Sequence, residues 1–261
     1  MPLTAESVTA GYGARRVLHG VSVSADAGAV TVILGPNGSG KSTLLRCLAG
    51  ALPPASGAVR CDGADLYRLS AARVAQAIAV VPQETPMPFA FTARELIALG
   101  ANAPGDPVGA EQRARRAATL MDLDPLLDRS VVTLSGGERQ RAAVARALAQ
   151  DTDYLLLDEP TAHLDLKHQG RLFDALRTRA HQEGKGVLVV LHDLAAAAAV
   201  ADRAVLMRGG EIAAAGEVKN VLVPDTLKSV YEVDIGLLTG DDGRTYLSPF
   251  YTLSEADRGA P

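Results

Sequence analysis

The sequence predicts an α/β fold: a buried parallel sheet with helices between its strands, an N-terminal antiparallel β region and an inserted α-helical subdomain. Three observations predict it. Short, continuous apolar runs at Val30–Leu34, Ile78–Gln83, Tyr154–Glu159 and Gly186–His192 read as strands covered on both faces. Helical patterns lie between them, one beginning near Lys41 and another around Gln169–Ala180. Strand signals stop between Glu84 and about Gln150, so a helical block interrupts the sheet.

Taken in order, Leu3 to about Cys61 alternates apolar and polar residues, with Val17, Val21 and Val23 suggesting short strands and Asp26–Gly28 a turn. Within the helical block, Thr92-Ala-Arg-Glu95 fits a capping box, and Gly100 is expected to close that short helix. Glu111–Leu123, charged and rich in alanine, suits an exposed helix. Beyond Glu217 the chain reads as a helix-and-strand appendage. The expected organisation is one domain over 1–261, with residues about 84–150 inserted and about 217–261 as a tail.

Composition narrows the function classes. Of the 261 residues, 48% are hydrophobic and 21% charged, the balance of a soluble globular protein. A net charge of −4 without a long basic run gives no footprint for nucleic acid. No apolar stretch reaches the ~18 residues of a membrane span. The opening "MPLTAESVTAGYGARR" lacks the apolar core of an export signal. Cys47 sits in an apolar helical run and reads as a buried, inert thiol; with Cys61 it completes the cysteine inventory of a reduced, cytosolic chain.

The chemistry concentrates at "GPNGSGKS", Gly35 to Ser42, which matches G-x-x-x-x-G-K-[ST] between a strand and a helix. Gly35, Gly38 and Gly40 allow backbone angles that turn successive N–H groups inward as a nest for phosphate oxygens. The intervening Pro36, Asn37 and Ser39, and Thr43 just beyond, belong to the same cradle. The helix starting near Lys41 adds its positive dipole end. Lys41 is expected to bridge the β- and γ-phosphates and Ser42 to ligate Mg²⁺. The ligand is a nucleoside triphosphate, and the fold is a P-loop NTPase (RecA-like) core. Asp158 and Glu159 follow a buried strand, at the end where open α/β sheets place ligands. Asp158 can hold Mg²⁺ through water, and Glu159 can polarise the attacking water.

Beyond the P-loop, further stretches resemble the ATP-binding subunits of ABC transporters, in the family's order over about Leu3 to Gly216. "LSGGE" (Leu134–Glu138), followed by "RQRAAVARAL", resembles the signature; "YLLLDEP" resembles the Walker B strand and "AHLD" (Ala162–Asp165) the D-loop. His192 in "VLHD" matches the switch histidine, and Gln83 ends its strand as the Q-loop glutamine does. The resemblance implies ATP and Mg²⁺ as ligands, with Gln83 near the metal and His192 at the γ-phosphate. It implies that Tyr12 stacks on adenine, against the alternative of a structural tyrosine in a "GYG" turn. It also implies that Ser135, Gly136, Gly137 and Glu138, with Asp165, complete the site of a second copy. Ser135-Gly-Gly-Glu138 is itself a capping box, which a plain helix start would also show.

Such subunits deliver their motion to separate integral-membrane permeases, fed by a periplasmic or extracellular binding protein, at the cytoplasmic face of the inner membrane. Of four phenylalanines, Phe89 and Phe91 fall beside the expected Q-loop groove, where they either line the permease contact or pack inside the subdomain. "DEPTAHLDLKHQ" resembles importers of ferric siderophores, haem and cobalamin, although "ANAPGDP" stands where haem-import ATPases often carry a basic, histidine-containing segment. The alternative is a soluble ABC-type ATPase for iron–sulfur cluster assembly. ABC proteins acting on nucleic acid usually carry two cassettes or a long coiled-coil insertion, and this sequence shows neither.

Overall fold

The computed structural model describes residues 2–83, 90–102, 108–239 and 245–250. Its larger sheet has six strands. In spatial order they are β10 (Glu211–Glu217), β9 (Arg203–Arg208), β3 (Val30–Leu34), β8 (Gly186–Val190), β7 (Tyr154–Asp158) and β6 (Ile78–Val81). Only β10, the return arm of a hairpin with β9, runs antiparallel to its neighbour.

The continuous apolar runs have a direct cause. Val30, Val32 and Leu34 of β3 enter one core cluster, while Ile33 enters the other on the opposite face. The same division separates Leu155 and Leu157 from Tyr154 and Leu156, and Val187 and Val189 from Leu188 and Val190. Side chains alternate across a strand, so a sheet covered on both sides favours apolar residues at nearly every position, buried Thr31 of β3 being an exception. Each buried Val, Leu or Ile contributes about 1.5–3 kcal/mol by leaving water.

One face is covered by α1 (Lys41–Leu48) and a four-stranded antiparallel sheet ordered β2 (Arg15–Ala25), β1 (Leu3–Tyr12), β4 (Ser56–Cys61), β5 (Ala64–Asp65). Val17, Val21 and Val23 belong to the single long strand β2, whose register against β1 shifts three times, rather than to separate short ones. Helix α2 (Ala71–Ala77), capped by Ser70, leads into β6.

The other face carries α3 (Ala93–Ala101), α4 (Ala110–Leu120) and α5 (Gly136–Ala149), all lying between β6 and β7 in the chain. The Thr92–Glu95 capping box forms as expected, but Gly100 does not close α3. It lies within the helix, where an added Cβ would come 1.9 Å from the Arg146 carbonyl oxygen, so its role is close approach of α3 to α5. The expected exposed helix ends earlier, at Leu120, and buries Ala117 and Ala118 as its inner stripe. Beyond it, the Asp122 carboxylate meets Lys167 at 3.0 Å and Arg171 at 3.5 Å, tying the helical block to α6 (Leu166–Arg177). Helix α6 runs on into a wider turn over Thr178–Gln182.

Helix α7 (Leu194–Val200) follows β8, and the chain then enters β9 and β10. Two short helices, α8 (Val218–Val221) and α9 (Pro224–Tyr231), precede a hairpin of β11 (Asp234–Thr239) and β12 (Thr245–Phe250). Among the described residues no helix is long and apolar enough to cross a membrane.

Candidate nucleotide-binding and hydrolysis site

Register places the site. Val81 of β6 pairs with Leu157 of β7, Asp158 with Val190 of β8, and Ile33 of β3 also with Val190. Parallel strands in this register bring their carboxyl ends into one row, so segments far apart in sequence meet there.

After β3 the chain turns at Gly35, with φ +146°, where a Cβ would lie 2.2 Å from the Met207 carbonyl oxygen. Gly40, at φ +103°, would drive a Cβ to 2.8 Å from Leu18 Cδ2. Only glycine fits either position. Between them the Ser39 amide donates to the Pro36 carbonyl at 3.2 Å. Gly40 is also the N-cap of α1, so no side chain caps that helix, and no acidic residue occupies its first turn. Its free amides keep their capacity for an anion. Lys41 is buried and folds back over the loop, its Nζ donating to the Gly35 carbonyl at 2.8 Å and the Pro36 carbonyl at 3.0 Å. Burial pushes its pKa down, and the carboxylates of Glu159 and Asp158 oppose that shift.

Asp158 ends β7 and is buried, with Oδ1 lacking any hydrogen-bond partner. Burial pushes its pKa up, while a hydrogen bond from Ser42 pulls it down. Glu159 leaves the strand at φ +51°, its amide donating to the Val190 carbonyl at 3.2 Å. Its carboxylate is held at both oxygens. Gln83 Nε2 donates to Oε2 at 3.0 Å, and His192 Nε2 lies 2.6 Å from Oε1. The sequence places Gln83 and His192 as the last residues of strands, and both lie beyond them, because the ladders stop at Val81 and Val190; Glu159 follows its strand, whereas Asp158 is still part of β7. A place beyond the ladder frees Gln83, Glu159 and His192 from the sheet's buried alternation and leaves the His192 side chain 46% exposed.

Lys41, Gln83, Glu159 and His192 line one cleft of 590 Å³, which Tyr12, Asn37, Gly38, Gly40, Ser42 and Thr43 also enter, while Asp158 lines the adjoining cleft beside Gln83 and Arg46. None of Ser135, Gly136, Gly137, Glu138 or Asp165 lines either. Ser135 caps α5, its Oγ accepting from the Glu138 amide at 3.3 Å while Glu138 Oε2 accepts from the Ser135 amide at 2.7 Å. Gly136 and Gly137 pack on His163, and a Cβ on Gly137 would come 2.6 Å from the His163 carbonyl oxygen. Asp165 caps α6, accepting from the His168 amide at 2.9 Å. Signature and D-loop segments are thus pressed together on a surface apart from the P-loop.

The profile of the family described as ABC transporter matches residues 18–162, more than half of the chain. The chain belongs to the ABC transporter family. It is an ABC-type ATPase, with the cassette fold. A Rhodococcus jostii protein named "Hemin import ATP-binding protein HmuV" is 46% identical over 233 residues, covering 88% of this chain and 79% of that protein. A Halobacterium salinarum protein named "Cobalamin import ATP-binding protein BtuD" is 38% identical, covering 86% of this chain and 57% of that one. Among solved structures, a chain from a transporter assigned to the metal-chelate ABC type, in an inward-facing conformation, superposes with a TM-score of 0.79. It is 27% identical and covers 96% of this chain and 98% of that one. The dimeric ABC cassette MJ0796 gives 0.75 at 29% identity, covering 83% and 98%.

In this ABC cassette several residues that sequence reasoning missed stand at the site. Arg15 and Val17 line the cleft beside Tyr12. Arg46 donates to the Tyr12 hydroxyl at 2.8 Å; it lies one helical turn after Ser42, a spacing that could have flagged it. Tyr231 of α9 has its hydroxyl buried without a well-aligned partner, facing the Gly35 amide. Nothing local in the sequence marks it. Of the two phenylalanines, Phe91 is partly buried against the main core cluster and its carbonyl accepts from Val131, while Phe89 lies outside the described residues. Cys47 is buried as expected, its thiol pushed up to about 11 by burial.

Proposed function

We propose that this chain is the ATP-hydrolysing subunit of an importer for a metal chelate: haem, cobalamin or a ferric siderophore. It works as a head-to-tail pair with a second copy, against separate integral-membrane permease subunits, at the cytoplasmic face of the inner membrane. A periplasmic or extracellular binding protein delivers the cargo. The observation that carries the hydrolytic part is Glu159, held between Gln83 and His192 at the mouth of the P-loop cleft. The relatives named for hemin and cobalamin import support the transport part.

The residues fit a hard divalent ion. Asp158 keeps a buried oxygen without a partner beside Ser42, and Gln83 lines a cleft in common with Asp158. Among the described residues no group of three or more His, Cys, Asp or Glu could cage an ion alone. That suits Mg²⁺, which keeps waters and is carried largely by substrate phosphates. Ser42, Asp158 and Gln83 would hold it, and bound Mg²⁺ supplies neutralisation of charge at the β- and γ-phosphates.

The chain's own groups do the rest. The backbone amides of Gly38 and of Gly40 to Thr43 meet the phosphates, and Lys41 exchanges its loop carbonyls for β- and γ-oxygens. Glu159 accepts a proton as water attacks the γ-phosphorus and the bond to the β,γ-bridging oxygen breaks, its electron pair leaving on ADP; Gln83 and His192 fix the two Glu159 oxygens, and His192 reaches the γ-phosphate. Tyr12 offers its ring to the adenine. Ser135–Glu138 and Asp165 of the second copy close the site over the nucleotide.

Glu159→Gln tests the assignment. The variant should bind ATP, stall turnover and accumulate as a nucleotide-bound dimer in size-exclusion chromatography; steady-state hydrolysis at the wild-type rate overturns the role. Co-purification with a multi-span permease, followed by vesicle uptake of haem, cobalamin and ferric siderophore, tests the cargo class. Capture of a soluble assembly partner instead would favour the cofactor-assembly alternative.

A further inference from the structure

We propose that Arg46 is a positioning residue for the nucleobase, bracing Tyr12 from one side so that the free side of the ring meets the purine. The proposal rests on reading the cleft as an ATP site. Tyr12 is the last residue of β1 and precedes Gly13, which turns at φ +58°. A ring at such an edge, 46% exposed, is not fixed by packing alone. Arg46 fixes it twice. Its Nη1 donates to the Tyr12 hydroxyl at 2.8 Å, and its guanidinium carbon lies over the ring, 5.9 Å from the centroid.

A guanidinium on one face polarises the ring and leaves the opposite face for a flat π partner. The origin of Arg46 matters as much as its contacts. It projects from α1, the helix whose first residues are Lys41 and Ser42. Residues four apart lie on one side of a helix, so Arg46 sits one turn directly beyond Ser42. Base platform and phosphate grip are therefore indexed to one short helix, which sets the span between them. Holding the ring in advance also spares the ordering cost that a free side chain incurs on binding.

A rival role exists close by, because Arg46 is near enough to Asp158 to pull that carboxyl's pKa down. Comparing ATP with inorganic tripolyphosphate, which lacks a base, separates the two. Binding of each is measured in Mg²⁺ for the intact protein and for Arg46→Ala, Arg46→Lys, Tyr12→Phe, Tyr12→Ala and the double alanine variant. Arg46→Ala should weaken ATP about three- to tenfold, the scale of one cation–π contact with its hydrogen bond. It should leave tripolyphosphate within twofold, which also shows that the phosphate site is folded. Arg46→Lys, keeping charge without the planar fork, should recover only part of the loss, and Tyr12→Phe should fall between wild type and Tyr12→Ala. In the Tyr12→Ala background, Arg46→Ala should cost nothing more. Equal weakening of both ligands, or an undiminished cost in that background, overturns the proposal. Unchanged ATP affinity in Tyr12→Ala would instead overturn the base-stacking reading beneath it.

Discussion

Helices α1 and α5 are both proposed to meet the triphosphate at their N-termini, and they are prepared for it in opposite ways. The α1 terminus has glycine as its N-cap, no side-chain cap and no acid in its first turn. It lies against Leu18 and Met207, with Lys41 buried and turned inward. The α5 terminus carries a complete capping box, and Ser135 is exposed. One end is unsatisfied and enclosed; the other is satisfied and open. An enclosed, uncapped end binds an anion at no loss of existing hydrogen bonds. A capped end must trade bonds it already has, so its net contribution is smaller and matters when another molecule brings the ligand to it. Binding should therefore depend on α1, and turnover by the pair on α5.

The sharpest way to break that division is kinetic. Glu159→Gln should lower kcat by about 10²–10⁴, the range for a lost general base, with ATP affinity kept. Lys41→Ala should weaken ATP binding itself by more than about tenfold, through loss of a charge-assisted contact, as read by calorimetry. Ser135→Ala should leave the ATP affinity of the lone chain within about twofold while slowing turnover of the pair. Removal of the cap should also cost about 0.5–2 kcal/mol in thermal unfolding. Equal losses of affinity in Lys41→Ala and Ser135→Ala would erase the distinction between the two ends.

Asp158 sharpens it from the side of stability. Its pKa is raised in the folded protein, so its favourable contribution is present below the usual carboxylate range and is lost as pH rises through the raised value. The surroundings of this carboxylate in the nucleotide-free protein disfavour its ionised form. Asp158→Asn should therefore raise the nucleotide-free Tm at pH values above the raised pKa and flatten its decline as pH rises, while abolishing hydrolysis. A lower Tm in that variant would refute this balance. The smallest effect on nucleotide binding is expected at Gly100→Ala, where the Cβ meets the Arg146 backbone. It should cost about 1–3 kcal/mol of stability and leave ATP affinity per folded molecule unchanged.

What could be read from the sequence divides along the same line of local against distant causes. The P-loop, the two capping boxes and the buried strands are specified within a few residues, by glycines, by an S/T-x-x-E pattern or by an apolar run. At Gly100 a helix-closing glycine and a close-packing glycine look alike until the Arg146 backbone is in place. Gln83 and His192 look like strand residues in the sequence because the point where a ladder stops is set by the neighbouring strand. Tyr231 carries no signal at all, since its meaning comes from Gly35.

That last contact, with Met207 against the same glycine, has a temporal consequence. The loop that grips phosphate is translated early, but the wall that dictates its shape arrives with β9 and α9. A nascent chain on the ribosome must carry a glycine-rich segment without its mould for most of synthesis. The surroundings that confine Gly35 are therefore completed only once β9 and α9 have been synthesised.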